Sequence, residues 1–177
     1  MRLISTLPAD EIQKALIFTY PHGATSLVDG VYLGLTQLKT AHNPRKALIV
    51  VSDGGDNNGR YTVSELTKLA MEFDAEIFTI GLHENPRSAE ELRGPPLLEN
   101  LAHASGGISY MVSDMNRLHV VMGQIGVTLH NQYVLGYYPP PDAASGKYRR
   151  IRVQLLLPAG LPPLRIFARG GYYAPEN

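Results

Sequence analysis

From residue 46 to about residue 138 the apolar pattern changes period several times, as it does where strands alternate with helices. "ALIVVS" (47–52), "EIFTIGL" (76–82), "ISYMV" (108–112) and "QYVLGYY" (132–138) read as strands. The first two are apolar almost without interruption, as a parallel sheet covered on both faces requires. Between them, Thr62 and Glu65 form a T-x-x-E capping box ahead of Val63, Leu66, Leu69, Ala70 and Phe73 at helical spacing. "PPLLENLAHASGG" has proline near its start and Gly106 past its end, the usual punctuation of a helix. Asp114 can cap a further helix with Leu118, Val121, Met122, Ile125 and Leu129 on one stripe. Upstream, "RLIS" reads as a short strand, residues 10–18 as a helix, and Leu27, Val31, Leu35 and Leu38 as the stripe of a helix starting at Thr25 or Ser26. The expectation is an α/β fold: a Rossmann-like, doubly wound, mostly parallel sheet.

After residue 139 the pattern changes. "PPPDAASG" is a loop, and "YRRIRVQLL" then alternates, with Ile151, Val153 and Leu155 on one face and Arg150, Arg152 and Gln154 on the other. "LRIFARGGYY" follows "PAGLPP". Together they predict a C-terminal antiparallel β-appendage, and the tyrosines at 133, 137, 138, 172 and 173 suit packing between appendage and sheet. The division expected is 1–138 for the α/β domain and 139–177 for the appendage, within a length suited to one domain with an addition.

Composition narrows the function. Lys+Arg and Asp+Glu both number 16, so no overall field favours nucleic acid or an anionic membrane. In "KYRRIR", strand alternation sends arginines to the wet face, and nucleic-acid binding is not expected. No apolar stretch approaches the roughly 20 residues of a membrane span. "MRLISTLPADE" lacks the order of an export signal. With no cysteine, disulfides, thiolate metal sites and a cysteine nucleophile are excluded.

Asp53 ends the first greasy strand among Gly54, Gly55, Asp56, Asn57 and Asn58. Ligands of open parallel sheets bind beyond the carboxyl ends of strands, and an oxygen-rich loop there suits Mg²⁺, Ca²⁺ or Mn²⁺. The same residues also make an ordinary turn. The acidic spacing of an EF-hand is missing, as are G-x-x-x-x-G-K-[ST] and G-x-G-x-x-G. The six histidines are scattered, and His22 is notable only for its closeness to Thr25. Ser26 and Ser52 lack a nucleophile elbow. Asp29 reads as a helix-surface charge and Asp74 as a helix-end residue.

Taken together, "GATSL" at a helix start and an apolar strand ending in "SDG" resemble the von Willebrand factor A (VWFA) domain, most closely the VWFA-related proteins of Acidobacteria. The likeness extends to the tail, through "LGYYP", "GKYRRI" and "GYY". It implies a non-enzymatic protein-interaction or adhesion module with a metal ion-dependent adhesion site. In that site Thr25 matches the family's threonine and Asp53 its later aspartate. A partner protein would supply a carboxylate to a Mg²⁺, Mn²⁺ or Ca²⁺ ion. The family's D-x-S-x-S occurs nowhere in the sequence, which implies a domain lacking its first strand and weak or absent metal binding. It also implies that the strand at 47–52 has an open edge or a substitute neighbour. The resemblance suggests a location outside the cytoplasm, although no export signal is read. Two rival readings stand beside it: a metal-dependent hydrolase or phosphotransfer domain with Asp53 as ligand or nucleophile, and a structural remnant that binds nothing.

Overall fold

The computed structural model describes residues 26–42, 45–52, 60–82, 89–139, 146–157, 160, 162 and 164–174. The expected strand "RLIS" and helix 10–18 lie outside them. The described elements are α1 (Leu27–Lys39), β1 (Lys46–Ser52), α2 (Val63–Glu72), β2 (Ala75–Leu82), α3 (Ala89–Ser105) and β3 (Ser109–Val112). A 3₁₀ turn (Met115–Arg117) then leads into α4 (Leu118–His130), and β4 (Tyr148–Arg150) and β5 (Gly171–Tyr173) follow. Strands β1, β2 and β3 form a parallel sheet in that order, with Lys46 opposite Ala75 and Thr79 opposite Ser109. Strands β4 and β5 form a separate antiparallel pair. The class is therefore α/β with a small antiparallel β-unit, as the pattern of periods predicts.

Strand alternation divides the core in two. Leu48 and Val50 of β1 and Ala75 and Ile77 of β2 join α1, α2 and α3 on one face, through Val31, Leu35, Leu66, Leu98 and Leu101. The intervening positions, Phe78 and Ile80 with Val112 of β3, meet Val121 and Ile125 of α4 on the other. Each buried leucine, isoleucine or phenylalanine contributes about 1.5–3 kcal/mol. The covering of the second face is uneven: Ile49 and Val51 of β1 remain exposed. Among the described residues β1 pairs only with β2, so its far edge has no described partner.

Local rules place several boundaries. Thr62 Oγ1 accepts from Glu65 N while a Glu65 carboxylate oxygen accepts from Thr62 N, the reciprocal capping box expected at α2. Gly106 has φ +87 after α3, where a left-handed residue closes the helix. Asp114 accepts from Asn116 N, but it caps the 3₁₀ turn that leads into α4 rather than α4 itself.

Other expectations are corrected. Helix α3 begins six residues before Pro95 and carries Pro95 and Pro96 inside it. Proline's fixed φ is compatible with a helix, at the cost of the ladder bonds its nitrogen cannot make. Met122 is exposed rather than part of the buried stripe of α4. "QYVLGYY" enters no sheet, and only Tyr148–Arg150 of "YRRIRVQLL" does. Alternation signals a capacity for strand, but a ladder needs a partner edge in register. The tyrosines expected to pack divide: Tyr172 and Tyr173 lie in β5, while Tyr133 and Tyr138 are 94% and 100% exposed.

Candidate functional site

All three strands of the parallel sheet end on one rim, β1 at Ser52, β2 at Leu82 and β3 at Val112. The two site residues expected from sequence, Thr25 and Asp53, both lie outside the described residues, as do His22, Asp56, Asn57 and Asn58. What the structure gives is the frame on either side of them. Helix α1 begins two residues after Thr25, and β1 ends one residue before Asp53.

A contact from the first part of this frame to the entry of α2 comes from Asp29, in the first turn of α1. One of its carboxylate oxygens accepts hydrogen bonds from the backbone N–H groups of Arg60 (2.7 Å) and Tyr61 (3.3 Å). Arg60 and Tyr61 resume the described chain after residues 53–59 and lead directly into the Thr62 cap of α2. The first turn of α1 is thus fastened to the entry of α2. Two aromatic rings extend the fastening: Tyr32, one turn along α1, stacks on Tyr61 with ring centroids 3.8 Å apart and planes 9° apart. The Tyr61 hydroxyl has its pKa raised, first by hydrogen bonding to Tyr32, then by desolvation and by the negative charges around it, Asp29 included. Glu65 is held below the usual carboxylate range by the hydrogen bonds it accepts from Thr62.

Asp29 is thus more than a helix-surface charge. A carboxylate in a first helical turn is favoured by the helix dipole, and that is visible in sequence. Its donors are 31 and 32 residues away, and nothing local points to them.

Two of the four described histidines make structural contacts. His103 faces Glu99 one helical turn away, and His130 Nδ1 lies 2.8 Å from the Gly126 carbonyl. Among the described residues no group of three or more His, Asp or Glu is arranged to hold a metal ion. No helix among them is long and apolar enough to cross a membrane.

The opposite, amino rim is occupied by the C-terminal part of the chain. Arg169 pairs with Asp74, a helix-end residue with φ 52. Gln132 Nε2 donates to a Glu76 carboxylate oxygen at 2.5 Å. Burial raises the Glu76 pKa, opposed by the bond from Gln132 and reinforced by the neighbouring Asp74 charge. A Cβ on Gly106 would lie 2.6 Å from the Arg169 nitrogen, so glycine is required there for close approach as well as for its φ. Strand β5 lies along α2, with the Lys68 ammonium 5.4 Å from the Tyr173 ring centre.

No protein-family model matches this chain, and no curated protein does. Among solved structures, an uncharacterized membrane-spanning protein from Vibrio fischeri is similar, with a TM-score of 0.42 and 20% identity over 67% of this chain. The match spans 65% of that protein's chain, less than two thirds of its length. A likeness of this size carries no argument about function.

Proposed function

We propose that the chain is a non-enzymatic protein-interaction module of the VWFA kind, with a Rossmann-like, doubly wound domain at 1–138 and an appendage at 139–177. Its ligand face is the carboxyl rim of the sheet and includes Thr25 and Asp53. The observation that supports this most is the pair of hydrogen bonds from Arg60 and Tyr61 to Asp29. They tie the helix that follows Thr25 to the end of the segment that begins at Asp53. A hydroxyl and a carboxylate presented from two such fastened segments can receive a polar group of a partner protein without any bond being broken.

A metal ion does not fit this donor set by itself. A hard cation takes about six oxygens, whereas Thr25 and Asp53 contribute about two. The remaining donors of the family site would come from the D-x-S-x-S absent from this sequence. Binding of Mg²⁺, Mn²⁺ or Ca²⁺ by the chain alone is accordingly weak, and ligand recognition rests mainly on the protein's own groups.

Calorimetry of the full chain with MgCl₂ and MnCl₂, beside Asp53→Ala, tests this reading. The expected heats are small for the native chain and smaller still for the variant. Tight binding that Asp53→Ala leaves intact would refute it. Turnover of a phosphate ester that disappears in Asp53→Ala would establish the hydrolase reading instead.

A further inference from the structure

On the amino rim, away from the carboxyl-end frame just discussed, a groove of about 1560 Å³ opens between the sheet and the C-terminal chain. Small-molecule pockets span about 300–1,000 Å³, so its size suits a length of polypeptide better than a compact ligand. Its lining includes residues 132–137 and residues 151–154.

Residues 132–137 and 152–154 carry strand-forming capacity that no described residue uses. Among the described residues, no backbone–backbone hydrogen bond involves residues 132–139, and the antiparallel ladder of β4 and β5 stops at the bond from Ile151 N to Gly170 O. Beyond it, residues 152–154 make no such bond among the described residues. "QYVLGY" and "IRVQ" are nevertheless rich in the β-branched and aromatic residues that favour strands. Val134 and Leu135 are largely exposed.

The charge of the lining has a sign. Four cations, Arg45, Lys46, Arg152 and Arg169, line it against two acids, Asp74, which is paired with Arg169, and Glu76. No described carboxylate forms an ion pair with Arg45, Lys46 or Arg152. The unneutralised excess is cationic.

We infer that this groove is a second docking site, which takes an acidic polypeptide segment as an added strand between residues 132–137 and 152–154. The segment's backbone completes ladder bonds on both of these, and its acidic side chains meet Arg45, Lys46 and Arg152. Backbone pairing of this kind gives affinity, and side chains at alternate positions give selectivity. Thr25 and Asp53 take no part, so this inference and the proposed function stand or fall separately.

The test is fluorescence anisotropy of the full chain with a labelled peptide of about eight residues alternating glutamate with valine, matching the two-residue period of a strand. The comparison peptide has lysine in place of each glutamate. The acidic peptide is expected to bind saturably, more weakly as salt is raised, and the lysine peptide not to bind. Arg152→Glu, which reverses a lining charge, and Val134→Pro, which removes a backbone donor, should each weaken binding about tenfold or more. Both positions are exposed, and far-ultraviolet circular dichroism confirms that the variants fold. The inference is overturned if the acidic peptide fails to bind, if the lysine peptide binds equally, or if neither variant weakens binding. It is also overturned if the chain is a dimer that either variant converts to monomer, because the groove's occupant is then a second copy.

Discussion

The two rims of the parallel sheet are held together by different means. At the amino rim, chain from far along the sequence is brought back: Arg169 reaches Asp74, Gln132 reaches Glu76, and the backbone at residues 168–169 lies against Gly106. At the carboxyl rim, the described fastening is one carboxylate in a helix's first turn and one stacked pair of tyrosines. The amino rim therefore depends on shape, since a glycine must stay bare for the chain to pass. The carboxyl rim depends on hydrogen-bond acceptance, which fastens backbone while leaving the ends of the strands free of an overlying segment among the described residues.

Substitutions can break this comparison. The largest effect is expected from Gly106→Val, which adds side-chain bulk at a left-handed φ where the Arg169 backbone already crowds. A loss of about 2–4 kcal/mol in urea unfolding is predicted. Asp29→Ala should cost about 1–2 kcal/mol by leaving two backbone donors without their acceptor, and Asp29→Asn, which keeps an oxygen, should recover part of it. If Asp29→Ala costs nothing, the fastening at the carboxyl rim is incidental. Arg169→Ala removes an ion pair with a well-exposed aspartate and should cost at most about 0.5 kcal/mol, a loss that shrinks in high salt.

The smallest effect is a dependence on pH. Burial raises the Glu76 pKa in the folded state, so ionisation costs the folded protein. The cost is absent below the unfolded value of about 4.3, where both states are protonated, and grows as pH rises through the folded value. Glu76→Gln should therefore raise the melting temperature at neutral pH, with the gain vanishing in acid. An equal gain at every pH would mean that burial of the charge is not its source.

The same contrast shows how much sequence could reveal. The α/β class, β1 to β3, the Thr62–Glu65 box and the left-handed glycine at 106 were legible, because each follows from a periodic pattern or a short-range bond. The apolar stretches at 132–138 and 151–156 were not, since their alternation tells of a willingness to pair and nothing of an available edge. The donors to Asp29 are not legible either, for the related reason that they are distant in sequence. For the site residues themselves, spacing and resemblance supply Thr25 and Asp53, and the structure describes only the elements beside them.

The claim on which the functional account depends is that Thr25 and Asp53 share one opening at the carboxyl rim. Backbone amide spectra of the full chain titrated with Mn²⁺ test it most directly, because paramagnetic broadening detects even a weakly held ion and fades steeply with distance. Broadening centred on residues 26–29 and 60–61, and abolished by both Thr25→Ala and Asp53→Ala, is the predicted result. Broadening centred elsewhere, or left unchanged by either substitution, would contradict it.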